Sequence, residues 1–197
     1  MRPSRSLKRA SRQGASPSSA AAVAPIFETA SLVARRLQPD DLAHLFAVYG
    51  DAASMRWVGD GEPITHEACV KWLEVTANNY RVRGYGMFAL LDREAGDVVG
   101  FCGLVHPGGQ VDAELKYALK RAYWGAGLAT QAASAMLAYG AREHGLTTVI
   151  ATAAPANTAS HRVLLKAGMQ RAERRDNEDG TFTQVFRWRA GTAENVS

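Results

Sequence analysis

The chain has 197 residues, 47% of them hydrophobic, with two cysteines and five histidines. Five of its 23 Lys and Arg residues (Arg2, Arg5, Lys8, Arg9, Arg12) lie in residues 1–27, which hold no acid, so residues 28–197 carry 18 basic against 19 acidic side chains and are near neutral. These figures suit one domain with a full core and exclude a disulfide framework; they give no support to nucleic-acid binding, and no apolar run approaches the roughly 18 residues of a membrane span.

Residues 1–28 are rich in Ser, Ala and Arg, contain Pro3, Pro17 and Pro25, and lack a hydrophobic period. They are expected to be a disordered tail ahead of one domain over 29–191, with 192–197 as a second short tail. Ala20 to Ala24 is too short and too weakly apolar for a signal peptide, so a cytoplasmic protein is expected. Leu32 to Leu37 reads as a first strand. Pro39-Asp40-Asp41 then starts a helix with Leu42, Leu45, Phe46 and Tyr49 on one face. Asp51 to Ile64 reads as a loop. Thr65 caps a second helix whose stripe is Cys69, Trp72, Leu73, Thr76 and Tyr80.

Gly86 to Leu91 and Val98 to Val105 read as a hairpin of two strands. Ala113 to Leu119 is the next strand. Gly127 to His144 is a helix stopped by Gly145. Thr147 to Ala153 is an apolar, β-branched run that reads as a buried strand. Thr158 to Ala167 is a shorter helix. Arg171 to Arg175 and Thr181 to Trp188 form a closing hairpin around Asn177 to Gly180. The order is βααβββαβαββ. Cys69 and Cys102 fall in apolar surroundings and read as reduced core residues, and the histidines show no ligand spacing, so no metal is expected.

The segment from Lys120 to Ala132 carries the chemistry. A strand hands over to a helix there, with Gly125 and Gly127 at the junction. Such a junction gathers free backbone N–H groups at the positive end of a helix and binds phosphate without a basic side chain. The third glycine and the downstream acid of the dinucleotide fingerprint are missing, and no Gly-Lys-Ser/Thr of a P-loop follows.

Trp124-Gly125-Ala126-Gly127-Leu128-Ala129 resembles the pyrophosphate loop of the GNAT N-acetyltransferase superfamily, Gln/Arg-x-x-Gly-x-Gly/Ala, with Trp124 in place of the Gln or Arg. The Trp-Gly-x-Gly-Leu-Ala-Thr form is similar to the RimJ/RimL-type branch of ribosomal-protein N-terminal acetyltransferases. Asn157-Thr158-Ala159-Ser160, followed by an apolar helix and Gly168-Met169, resembles the later motif of that branch, with Met169 for the usual Phe. The resemblance covers roughly residues 29 to 190. It implies an α/β (α+β) fold: a mixed, twisted sheet of about seven strands with helices on both faces. It also implies acetyl-CoA as co-substrate. The loop N–H groups over Gly125, Ala126, Gly127, Leu128, Ala129 and Thr130, next to Trp124, would take its pyrophosphate. Backbone at Leu119, and Asn157, would contact its arm. Asn157 equally suits a helix N-cap.

Acyl transfer needs a neutral amine, and a general base helps most with a lysine-like amine, which costs roughly 4–5 kcal/mol to deprotonate at pH 7 against about 1 for an α-amine. Strand alternation places Glu114, Lys116 and Ala118 on one face and Ala113, Leu115, Tyr117 and Leu119 on the other. Glu114 is the leading base candidate, with a plain strand carboxylate paired to Lys116 as the alternative. Lys116 departs from the Gly common in the branch. Ser160 matches the serine for which the branch implies protonation of the leaving thiolate, and Tyr123 or Tyr117 are alternatives. Asp51, Asp60, Glu62, Asp176, Glu178 and Asp179 would give the acceptor mouth an acidic rim suited to a cationic amine. The expected activity is direct acetyl transfer to a primary amine, from a protein N-terminus to an antibiotic, polyamine or amino acid. A non-catalytic acyl-CoA-binding sensor on the same fold is the alternative, and the oligomeric state is not readable.

Overall fold

The computed structural model describes residues 24–57, 61–177 and 180–191. The expected tails over 1–23 and 192–197 lie outside the described residues. Eight strands form one sheet: β1 (Pro25–Glu28), β2 (Leu32–Arg36), β3 (Met87–Asp92), β4 (Val98–Val105), β5 (Ala113–Leu119), β6 (Thr148–Ala153), β7 (Gln170–Asp176) and β8 (Phe182–Arg189). Five α-helices accompany them: α1 (Leu42–Tyr49), α2 (Ala52–Met55), α3 (His66–Arg83), α4 (Leu128–His144) and α5 (Thr158–Lys166). The sheet order is β1-β2-β3-β4-β5-β6-β8-β7. Every neighbouring pair is antiparallel except β5 with β6.

Two cores flank the sheet. Leu45, Val48, Met55 and Cys69 from α1, α2 and α3 pack on Met87, Ala89 and Phe101. On the other side Leu128, Ala132, Ala133, Met136 and Leu137 of α4 and Leu164 of α5 pack on Leu104, Leu115, Val149, Ala151 and Phe186. The helix ends follow their sequence signals. Thr65 accepts from Ala68 N–H at 3.2 Å at the start of α3, and Gly145 ends α4 in the left-handed region. Cys69 and Cys102 are both buried free thiols, and burial pushes the Cys102 thiol far up.

Two elements differ from the sequence reading. Pro25–Glu28, expected as tail, is β1, so the sheet has eight strands rather than seven. Pro25 suits an edge strand, where no ladder donor is needed. The segment 51–64, expected as a loop, contains α2, whose first turn is capped by the Asp51 carboxylate accepting from Ser54 N–H at 2.9 Å.

Candidate active site

The connection from β5 to α4 turns through Arg121–Tyr123 and then through two left-handed glycines, Gly125 at φ 79° and Gly127 at φ 77°. A side chain is strained in that region, and no atom approaches within 4 Å of the Cβ position of either glycine. Both therefore serve the backbone path and leave open space above it. α3 and α5 begin with side-chain caps, whereas α4 begins at Gly127 with none. Among the described residues, the backbone N–H groups of Gly125, Ala126, Gly127, Leu128 and Ala129 have no hydrogen-bond acceptor. Thr130, expected to complete this set, does not: its N–H donates to Gly127 C=O at 3.1 Å. No basic side chain among the described residues is hydrogen-bonded to the loop from Gly125 to Ala129. Lys120 turns away, donating to Val98 C=O at 2.5 Å and lying 3.2 Å from His44 Nδ1.

Beside this loop the sheet opens. β5 and β6 pair only at Ala113↔Val149 and Glu114↔Ile150 and then separate. Lys120 N–H bonds Val99 C=O, so strand alternation turns the polar backbone of Leu119 and Tyr117 towards the gap. Trp124, 52% exposed, donates its indole N–H to Leu119 C=O at 2.8 Å. One of the backbone groups that line the mouth of the slot is thus already used by the residue that departs from the Gln/Arg pattern.

Glu114 stands at the closed end of the slot. It is only 2% exposed, and it is paired to Lys116 as the alternative reading expected. Three donors surround the carboxylate. Lys116 Nζ and Thr152 Oγ1 each lie 2.5 Å from Oε1, and Gln110 Nε2 lies 3.3 Å from Oε2. Gln110 is itself held by a second bond to Asp112 C=O at 3.0 Å. A carboxylate accepts about four hydrogen bonds, so one acceptor site on Oε2 remains. Gln110 and Thr152 escaped the sequence reading because nothing local marks a loop glutamine or a strand threonine for this role. Only the pairing of β5 with β6 brings Thr152 to Glu114.

On the opposite face of β5, Tyr117 and Ser160 come together, with the phenol oxygen 2.8 Å from Ser160 Oγ. Burial pushes the Tyr117 phenol up to about 12, opposed by the bond to Ser160. The phenol therefore keeps its proton throughout the neutral range. Asn157 caps α5, accepting from Ser160 N–H at 3.1 Å, and its amide N–H₂ stays available for a further acceptor. Tyr123 does not join this group: it packs against the apolar core, and its hydroxyl makes no hydrogen bond to another described residue. Of the expected acidic rim, Asp60, Glu178 and Asp179 lie outside the described residues. Asp51 is engaged as a helix cap, and the Ser54 hydroxyl and N–H hold its carboxyl below the usual range. Glu62 and Asp176 are exposed.

Residues 31–170 match the family model described as an acetyltransferase (GNAT) domain. YoaA of Bacillus subtilis, named as an uncharacterized N-acetyltransferase, is 27% identical over 149 residues, covering 75% of this chain and 84% of the relative. The uncharacterized protein YkkB of the same organism is 34% identical over 101 residues; the match takes in 50% of this chain and spans 59% of YkkB. A GNAT-family acetyltransferase structure from Bacillus anthracis superposes with a TM-score of 0.71 at 23% identity, covering 82% of this chain and 96% of that one. RimL, a ribosomal-protein alpha-N acetyltransferase in complex with coenzyme A, gives 0.71 at 16% identity, with 84% and 98% covered. AAC(6')-Ib in complex with ribostamycin and coenzyme A gives 0.69 at 16%, with 84% and 99% covered. At these identities the structural matches speak for the fold.

Proposed function

The chain belongs to the GNAT acetyltransferase family, and on that premise we propose that it transfers the acetyl group of acetyl-CoA directly to a primary amine, with a protein N-terminal α-amine as the first candidate acceptor. The observation that carries the reading is the run of five N–H groups, Gly125 to Ala129, without an acceptor among the described residues, at an uncapped helix start beside the gap between β5 and β6. Orphan donors at the positive end of a 17-residue helix suit a pyrophosphate. The polar backbone of Tyr117 and the N–H of Leu119 suit the amides of the pantetheine arm, as an added strand would. Leu119 C=O already accepts one bond, from the Trp124 indole, and has a single acceptor site left for the arm. The Asn157 amide is a further donor to the arm.

Glu114 has one acceptor site left and serves as the base that receives the amine proton. Ser160 and the protonated Tyr117 lie within one hydrogen bond of each other and form the donor pair for the leaving thiolate. Tyr123 drops out of that role, since its hydroxyl is not linked to the pair. An α-amine needs only about 1 kcal/mol of deprotonation at neutral pH. That suits a base whose lone pairs are already largely engaged. RimL, a ribosomal-protein alpha-N acetyltransferase, and AAC(6')-Ib, bound to ribostamycin, illustrate two acceptor classes on this fold, a protein terminus and a small molecule.

The cofactor part is tested by calorimetry with acetyl-CoA. Gly127→Glu, which fills the open loop and adds like charge, should abolish binding. Gly127→Ala carries the same backbone strain, about 1–2 kcal/mol, without the charge, and should still bind. Equal binding by Gly127→Glu and the parent sinks the phosphate-loop assignment. Thiol release against peptides, polyamines and aminoglycosides then identifies the acceptor and separates an enzyme from a binding-only sensor.

A further inference from the structure

The proposed reaction leaves one group at the closed end of the slot without a task. Lys116 is the next residue of β5 on the Glu114 face after the two strands part at Glu114↔Ile150. Its Nζ lies 2.5 Å from Glu114 Oε1 and 3.3 Å from Thr152 Oγ1 of β6. The side chain therefore spans the gap between the strands, with 41% of its surface exposed. On the reading above, the acceptor amine must come to Glu114 at this end of the slot. The chain already holds a primary amine there, against the base. We propose that Lys116 is itself an acetyl acceptor, a self-modification site inside the candidate active site; the proposal rests on the assignment of the slot to acetyl-CoA.

The step balances without another reactant. The ammonium passes one proton to the Glu114 carboxylate, which later releases it to water. The neutral Nζ attacks the thioester carbonyl carbon, so a C–N bond forms and the C–S bond breaks. The nitrogen's second proton goes to the leaving sulfur, and free CoA thiol departs. Lys116 becomes a neutral Nε-acetyl amide. A lysine amine in water is disfavoured because it is almost wholly protonated. The ion pair with Glu114 favours the ammonium, so the advantage of Lys116 is positional: its proton acceptor is already in place and the protein holds the amine, which removes the cost of bringing two molecules together. Lys71 and Lys166, both exposed on helices, have no such partner among the described residues and provide internal references.

The test uses the full chain incubated with isotopically labelled acetyl-CoA and no added amine, followed by peptide mapping by mass spectrometry. Lys116 should gain the label at least about tenfold faster than Lys71 and Lys166. Excess desulfo-CoA should suppress labelling of Lys116 and leave the two surface lysines unchanged. Glu114→Gln should slow the Lys116 label selectively. Lys116→Arg should bind acetyl-CoA in calorimetry and take no enhanced label anywhere. If acetyl-CoA binds but Lys116 is labelled no faster than the surface lysines, the proposal is overturned and the slot assignment stands. If acetyl-CoA does not bind at all, both fall.

Discussion

Replacing Glu114 by Gln separates the structural and chemical parts of its role. The carboxylate receives Lys116 and Thr152 on Oε1 and Gln110 on Oε2. An amide offers one acceptor oxygen and two donor hydrogens in the same outline. With the amide oxygen at the Oε1 position, its N–H₂ group faces the Gln110 N–H₂ and one bond of 3.3 Å is lost. With the amide reversed, two donors meet Lys116 and Thr152, so the first orientation prevails. A hydrogen bond to a charged group is worth about 1.5–3 kcal/mol. Lys116 is 41% exposed and recovers water when its ion pair weakens, which keeps the cost below the 3–5 kcal/mol typical of breaking a fully buried pair. The expected destabilisation is about 1–2 kcal/mol, a fall in Tm of about 3–6 °C for a chain of this size. If Glu114 takes the amine proton, kcat should drop by about 10²-fold or more, with acetyl-CoA affinity nearly unchanged because the cradle is backbone. The loss should be larger for a lysine-like acceptor than for an α-amine, since more deprotonation work is at stake. Thermal unfolding, calorimetry and thiol release on matched peptides measure the three effects. Parental kcat on the lysine-like acceptor, together with the expected loss of stability, would refute the base assignment and leave Glu114 as the anchor of the β5–β6 junction.

The remaining expectations concern the donor pair and the chain's start. Tyr117→Phe and Ser160→Ala should each slow transfer by about 10–10²-fold, and the double variant should lose far less than the product because the two act as one unit; full additivity in thiol-release assays would show that they act apart. Tyr123→Phe should leave kcat within about twofold, and a loss like that of Tyr117→Phe would reinstate Tyr123 as a proton donor. A chain beginning at Ala24 should keep its melting temperature, whereas one beginning at Glu28 removes Ile26 and Phe27 from the core edge and should lose about 2 kcal/mol in denaturant unfolding.

Much of the fold was legible because its signals are local. Thr65 and Gly145 bound their helices as capping chemistry requires. The two-glycine junction after β5 announces a loop that only left-handed residues can follow. β1 was illegible because four residues with two apolar side chains carry no period, and its partner β2 supplies the register. α2 was hidden for the same reason of length, although Asp51 three residues before Ser54 is a capping arrangement. Alternation correctly put Glu114 on the face of Lys116 but not its burial, which comes from Thr152, 38 residues away, and from the Gln110 loop. The Thr130 N–H was misjudged because a tight first turn of α4 spends it on Gly127 C=O.

The place of the site follows from the sheet's change of direction. Antiparallel neighbours tend to stay paired along their length, since a short hairpin ties them at one end. β5 and β6 are parallel, so the chain must cross from the C-terminal end of one to the N-terminal end of the other, and α4 makes that crossing. The pairing sits at the first two residues of β5, which fixes the closed end of the gap beside Glu114. The gap therefore opens towards the C-terminal end of β5, the end at which α4 begins. From Leu115 to Leu119 the open edge runs about 13 Å at strand rise. A ligand held at its phosphates by Gly125 to Ala129 is thus led along unpaired backbone towards the one buried carboxylate of β5. The anion cradle, the strand-like slot and the candidate base are consequences of a single parallel junction, in keeping with the general placement of ligand sites beyond the carboxyl ends of parallel strands.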